Sequence, residues 1–171
     1  MNTAFLLMYL AAALATPFEK WITEDVVYII TPQEKIEWSK LRTQEKRDQF
    51  IQAFWLRRDP AFKEEHYRRI AYANAHFAAK VPGWKTDRGR IYITYGQPDE
   101  IEAYPSGSTR NRPPEEGGGI TATYPFEKWR YNHVAGLDTD VLLEFVDTTM
   151  TGDYRLIPTP PSLRDHPQVD R

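Results

Sequence analysis

The residues best suited to chemistry lie close together in the middle of the chain. Asp87 and Asp99 are followed by Glu100 and Glu102, and two carboxylates held about 5 to 10 Å apart across a cleft can hydrolyse a glycoside. The same run carries Arg88 and Arg90, and Arg57, Arg58 and Asp59 precede it. Guanidinium forks hold carboxylate or phosphate through two parallel hydrogen bonds. Each set also has a plain structural use. Asp87 suits a turn in which a short polar side chain accepts backbone N–H bonds, and Asp99 starts a strand after Pro98. The arginines suit an ion-pair network tying a helix end to a strand start, with Asp59–Arg88 and Asp87–Arg58 as its pairs. We adopt the structural use in both cases and assign no catalytic residue. Gly83, Trp84, Thr86, Asp87, Arg88, Gly89, Gly96 and Pro98 form the structural motif, and Arg58, Asp59, Arg90, Tyr92, Asp99 and Trp129 the candidate ligand-binding set.

Other chemistries find less footing. His66 and His76 are about three helical turns apart, too far to share a metal, and Glu64-Glu65-His66 lacks the second histidine of a zinc-protease helix. His133 and His166 stand alone. No serine among Ser39, Ser106, Ser108 and Ser162 has the Gly-x-Ser-x-Gly setting of a nucleophile elbow. Gly117-Gly118-Gly119 does not open a helix as a phosphate-cradling loop would. Neither a metal nor a cofactor is expected. Cysteine is absent, which excludes disulfides, zinc thiolates and thiol nucleophiles.

The elements that must position these residues change type at Gly83. Trp21 to Ile30 ends in a β-branched run and predicts a short strand or extended segment. Thr31-Pro32-Gln33-Glu34 is a helix start with a capping box, and a helix from Pro32 to about Lys40 should bury Ile36 and Leu41. Thr43 starts a second helix whose apolar stripe is Phe50, Ile51, Phe54 and Trp55. The pre-proline Asp59 ends it near Arg58. A third helix spans about Ala61 to Ala79 and lines one side with Phe62, Ile70, Ala73, Asn74 and Phe77, while Ala71, Ala75 and Ala78 allow close approach. Val81-Pro82-Gly83 breaks it, and Trp84 packs down as a plug.

Beyond the break, alternation replaces helical spacing. Gly89 fits a bulge, and Arg90 to Tyr95 reads as a strand with Ile91, Ile93 and Tyr95 on one face. Gly96-Gln97-Pro98-Asp99 turns the chain, and Ile101 and Ala103 begin another strand. Pro105 to Gly119 reads as a mobile loop with little to bury. Strands follow at Thr123–His133, Val141–Val146 and Thr148–Ile157, with turns at Ala135–Asp140 and Gly152-Asp153. The fold class is therefore α+β, N-terminal helices packed on a C-terminal antiparallel meander sheet. Pro17-Phe18-Glu19-Lys20-Trp21 recurs as Pro125-Phe126-Glu127-Lys128-Trp129, with no similarity around either copy, and we treat it as a coincidence of strand-like composition.

At 171 residues the chain suits one domain. A net charge of −2 and a pI near 6.1 argue against a nucleic-acid partner. Residues 1–15 read as a signal peptide: Ala4 to Leu14 is uncharged and apolar, and Ala13-Leu14-Ala15 is a small-x-small cleavage pattern. The run is too short for a stable membrane span, which needs about 20 residues. The domain then covers 16–157, and 158–171 is a Pro-rich tail or linker. An extracytoplasmic, periplasmic or secreted location follows.

Tyr92, Tyr95, Tyr104, Tyr124, Trp129 and Tyr131 fall on the predicted sheet, where alternation sends some outward as a recognition surface for peptide or glycan.

Gly83-Trp84-Lys85-Thr86-Asp87, continued by Arg88-Gly89-Arg90-Ile91-Tyr92-Ile93-Thr94-Tyr95-Gly96-Gln97-Pro98-Asp99-Glu100-Ile101, resembles the signature of the bacterial GWxTD domain family, named for that pentapeptide. The resemblance extends upstream through Phe54-Trp55-Leu56-Arg57-Arg58-Asp59-Pro60 and Tyr72-Ala73-Asn74. Downstream it reaches Trp129-Arg130-Tyr131 and Gly152-Asp153-Tyr154. It implies an exported bacterial protein without an assigned reaction. The expectation is a non-catalytic binding or structural module of the cell envelope, with a protein or envelope component as partner. The alternative is a hydrolase that uses Asp87, Asp99 and the nearby arginines on an anionic or glycan substrate.

Overall fold

A computed structural model describes residues 16–133 and 139–157. The expected signal peptide, most of the expected 135–140 turn and the Pro-rich tail lie outside the described residues.

The chain enters as a helix, not as the extended segment expected. Thr16 caps α1 (Pro17–Lys20) through a complete capping box with Glu19, and a π-helical turn carries on over Trp21–Asp25. Burial decides this: Trp21, Val26 and Ile30 all point into one aromatic cluster with Trp38, Phe54 and Trp55. Helix α2 (Pro32–Ser39) starts with the expected capping box, Thr31 to Glu34. It buries Glu34 and Trp38, while Ile36 is exposed. Helix α3 (Gln44–Leu56) is capped by Thr43 and buries Phe54 and Trp55, as its stripe predicts. Helix α4 (Pro60–His76) begins at the Asp59 cap. Its close approach uses Ala73, not the exposed Ala71, Ala75 and Ala78.

The largest difference follows the break. A 3-10 turn, Gly83–Lys85, leads into α5 (Asp87–Tyr95), a helix where alternation predicts a strand. Thr86 is its N-cap and accepts from Gly89 N, so Gly89 sits in a first helical turn and not in a bulge. Arg88, Gly89, Arg90, Ile91 and Ile93 are all buried. A helix covered on several sides needs no single apolar stripe, and its sequence is then free to alternate.

The antiparallel sheet has the order β1 (Glu100–Tyr104), β4 (Phe126–His133), β5 (Thr139–Val146), β6 (Arg155–Ile157). The expected 105–119 loop contains β2 (Thr109–Asn111), which pairs with β3 (Ile120–Ala122) as a separate two-stranded arm. The inner sheet face presents Trp129, Tyr131, Leu143 and Phe145 to Ala73, Phe77, Trp84, Ile91 and Ile93. Among the described residues, the helices cover one face of the sheet and leave the other uncovered.

Candidate functional site

Three backbones meet at the corner between α4 and α5. A Cβ on Gly83 would lie 1.9 Å from the Ala73 carbonyl oxygen, and one on Gly89 would lie 1.9 Å from the Gly83 carbonyl oxygen. Only glycine permits this stack of chain on chain, because any side chain would push backbone against backbone. Trp84 plugs the corner from above, 6% exposed. Its N–H donates to the Asn74 side-chain oxygen at 3.0 Å, and its carbonyl accepts from the Tyr28 hydroxyl at 3.0 Å. Burial pushes that hydroxyl up to about 12, so it remains a donor.

The polar members of the corner are committed to main chain. Thr86 Oγ1 donates to Gly83 O at 2.8 Å and accepts from Gly89 N at 3.0 Å. Asp87 Oδ2 accepts from the Leu156 amide at 3.1 Å. Leu156 pairs with Phe145 on the last strand of the sheet, so Asp87 closes an edge amide that β5 does not reach. Asp99, in the connection just before β1, accepts from the Asn132 amide at 2.7 Å. The two carboxylates hold two different strands.

Neither expected arginine pairing occurs. Arg58 gives its guanidinium to Glu34 Oε1 and Oε2 and to the carbonyls of Phe54 and Ile29, and lies 3.5 Å over the Phe54 ring. Arg57 shares the same Glu34. Burial would raise the Glu34 carboxyl, but the bonds from Arg58, Thr31 and Arg57 outweigh it and bring it down to about 2. Asp59 caps α4 through Ala61 N. Arg88 turns to Glu127 at 2.8 Å and to the Gly152 carbonyl, stacked on Tyr154 and Phe77. Nothing in the sequence pointed to Glu34 and Glu127 as the partners, which lie 24 and 39 residues from Arg58 and Arg88.

The other named residues have structural neighbours too. Arg90 is buried at 6% in α5. Gly96 ends that helix at φ 86, with its carbonyl accepting from Tyr131 OH, and Pro98 is buried beside it. Tyr92 stacks on Tyr72, which stacks on His76. Trp129 is fully buried and donates to Glu127 at 2.9 Å, so it and Tyr131 belong to the core and not to a recognition surface. Among the described residues, no group of three or more His, Asp or Glu could hold a metal, and no helix is long and apolar enough to cross a membrane.

A concave surface lies on the sheet face that the described helices leave uncovered. Register places Phe126 opposite Val146 and Lys128 opposite Glu144. The β2–β3 arm stands beside them, its base fixed where Ser108 N donates to Thr123 Oγ1 at 2.8 Å and Gly107 backs onto the Thr123 carbonyl. Between arm and sheet runs a groove of about 660 Å³, with Tyr124, Arg110 and Met150 on its walls. Of the aromatics expected to face outward, Tyr124 is 49% exposed and Tyr104 stacks on Phe126 on this face.

A protein-family model described as the GWxTD domain matches residues 15–111. That span ends before the Trp129 strand and the Gly152 turn. No curated protein and no solved structure matches the chain.

Proposed function

The chain belongs to the GWxTD domain family, and we propose that it is an exported, non-catalytic module of the bacterial cell envelope that binds another protein or an envelope component. One observation carries the non-catalytic part: Asp87 and Thr86 are occupied by the amides of Leu156 and Gly89. A carboxylate that closes a strand edge is a structural part, and moving it toward a substrate would leave the Leu156 amide without that acceptor. The hydrolase alternative needs Asp87 and Asp99 on one substrate, and each now serves a different strand amide. Export is supported by the apolar Ala4–Leu14 run and by Ala13-Leu14-Ala15 just ahead of Thr16. The chain also has no cysteine to depend on a redox compartment.

Two measurements test the proposal. Expressed in full with a C-terminal tag, the chain should be recovered from the periplasm or medium with Thr16 as its first residue. Recovery from the cytoplasm at full mass would contradict export. The purified protein should turn over no member of a glycan, ester and phosphate substrate panel. Turnover abolished by Asp87→Asn with the melting temperature unchanged would establish the hydrolase.

A further inference from the structure

Two clefts open on the outer side of α3 and share Ile51. One, of about 510 Å³, is lined by Trp55, Leu56, Pro60 and Lys63. The other, of about 490 Å³, is lined by Pro17, Phe18, Trp21 and Asp48. Gln44, Asp48, Ile51 and Trp55 stand at i, i+4, i+7 and i+11, so one side of a single helix runs along both clefts. Between the two ends the surface is apolar. Ile51 and Phe18 are partly buried, and Leu56, the last residue of α3, is 84% exposed. A lone surface leucine is ordinary, but one that continues the surface of Ile51, Trp55 and Pro60 enlarges a contiguous apolar patch.

Charge and spacing indicate the occupant. Arg58 and Lys63 line the first cleft, and Asp25 and Asp48 line the second with Arg47. Most of these groups are already committed. Arg58 is bonded to Glu34, Asp59 beside it to the Ala61 amide, and Asp25 accepts from the Tyr67 hydroxyl at 3.5 Å. The Arg47 guanidinium lies over the Phe18 and Trp38 rings, 5.8 and 5.6 Å from their centres. Lys63 and Asp48 remain, both exposed and neither with an ion-pair partner among the described residues. The Lys63 ammonium lies 5.8 Å from the centre of the Trp55 ring. The unpaired cation therefore stands at Trp55 and the unpaired anion at Asp48. Both positions are about 5 Å along the helix from the midpoint between Ile51 and Gln52, at about 1.5 Å per residue. Opposite charges at equal distances from an apolar centre match the same surface turned by half a turn. A two-fold pair of identical chains has that geometry, because every contact across its axis occurs twice.

We propose that a second copy of this chain docks here, its α3 antiparallel to the first about a two-fold axis at Ile51 and Gln52. Lys63 of each copy then meets Asp48 of the other. Position 56 falls opposite position 47, so Leu56 of each copy enters the other's cleft at Phe18, under the Arg47 guanidinium. This interface is independent of the reading of the chain as a binding module.

Analytical ultracentrifugation of the full chain tests it. The chain should sediment as a dimer at micromolar concentration. Leu56→Asp should sediment as a monomer and keep the wild-type circular dichroism spectrum, since Leu56 contributes little to the core. Lys63→Asp and Asp48→Lys should each weaken association at least tenfold, and the double variant, which restores both pairs with their signs exchanged, should recover it. The chain has no cysteine, which allows a geometric check. A short bis-maleimide should link Gln52→Cys chains in pairs and leave Glu102→Cys chains, altered on the sheet, single. A chain that stays monomeric at millimolar concentration would overturn the proposal, as would a dimer that survives Leu56→Asp or a double variant no tighter than the single ones. If the chain is a monomer and Leu56→Asp instead abolishes its binding of a different protein, the clefts belong to that partner and the dimer is refuted.

Discussion

Arg58 and Arg88 perform the same task in two different cores. In the aromatic helical core of Trp21, Trp38, Phe54 and Trp55, Arg58 lies on Phe54, grips Glu34 with both arms and adds two carbonyls. In the sheet core of Trp84, Trp129 and Phe145, Arg88 lies between Tyr154 and Phe77 and reaches one oxygen of Glu127 and one carbonyl. Its Nε is buried and finds no partner among the described residues. The difference shows how each core is closed. The helical core relies on side chains meeting side chains, with Glu34 neutralised twice. The sheet core relies more on backbone, through the glycine stack at the corner and through Thr86 and Asp87.

If that contrast is right, the largest loss comes from a backbone contact. Gly83→Ala would set a methyl 1.9 Å from the Ala73 carbonyl oxygen. It should cost about 4 kcal/mol or more, the range reserved for severe core faults, read as a fall in the urea midpoint. A variant that unfolds at the wild-type midpoint would show that the corner can open without penalty.

The two carboxylates give the next step. Glu34→Gln removes the charge shared by Arg57 and Arg58 in a buried setting and should cost about 3 kcal/mol, as when one partner of a buried pair is lost. Glu127→Gln should cost about 2 kcal/mol, because it strands a single arginine and keeps an acceptor for Trp129. The reverse order in denaturant melts would break the comparison.

Acid should act first on the helical core. Burial lowers His66, which is 1% exposed with Nε2 against the Asp25 carbonyl and Nδ1 without a partner among the described residues. Arg69 and Arg58 lower it further, although the bond to the Asp25 carbonyl works to raise it. A group depressed in the folded state takes up its proton more readily when unfolded. Stability should therefore fall as pH drops below His66's ordinary value of 6.5. Glu34 contributes stability that is present above its ordinary 4.5 and is lost as pH falls from there toward about 2. Asp25, raised by burial, works in the opposite sense and recovers part of the loss. His66→Phe should flatten the upper step, between pH 7 and 5, and leave the lower one. An unchanged upper step would remove His66 from the account.

The starts of α2 and α3 were legible in the sequence. Thr31 and Thr43 cap where their spacing predicts, and the α+β order was legible although the change from helix to strand falls at Glu100, after α5, and not at Gly83. Helix α5 was misread because Ile91, Tyr92 and Ile93 alternate, while the cap that decides the matter, Thr86 on Gly89 N, acts through one hydrogen bond. The repeated Pro-Phe-Glu-Lys-Trp shows the same limit most clearly. Its first copy is helical behind the Thr16 cap, and its second lies largely in β4, where Phe126 pairs with Tyr104 and Val146. Identical residues take opposite structures because their partners differ. The outer groove was only partly visible: exposed aromatics pointed to a sheet face, but the β2–β3 arm that forms its wall lies in a stretch whose composition reads as a loop.

The central claim is that the Trp-Lys-Thr-Asp corner is structural, with Asp87 closing the edge of the sheet. Amide hydrogen exchange at Leu156 tests it directly. The Leu156 amide should be protected in the wild-type protein, remain protected in Asp87→Asn, which keeps an acceptor, and exchange at least tenfold faster in Asp87→Ala. Equal exchange at Leu156 in the wild type and Asp87→Ala would contradict the claim and leave the carboxylate available for another role.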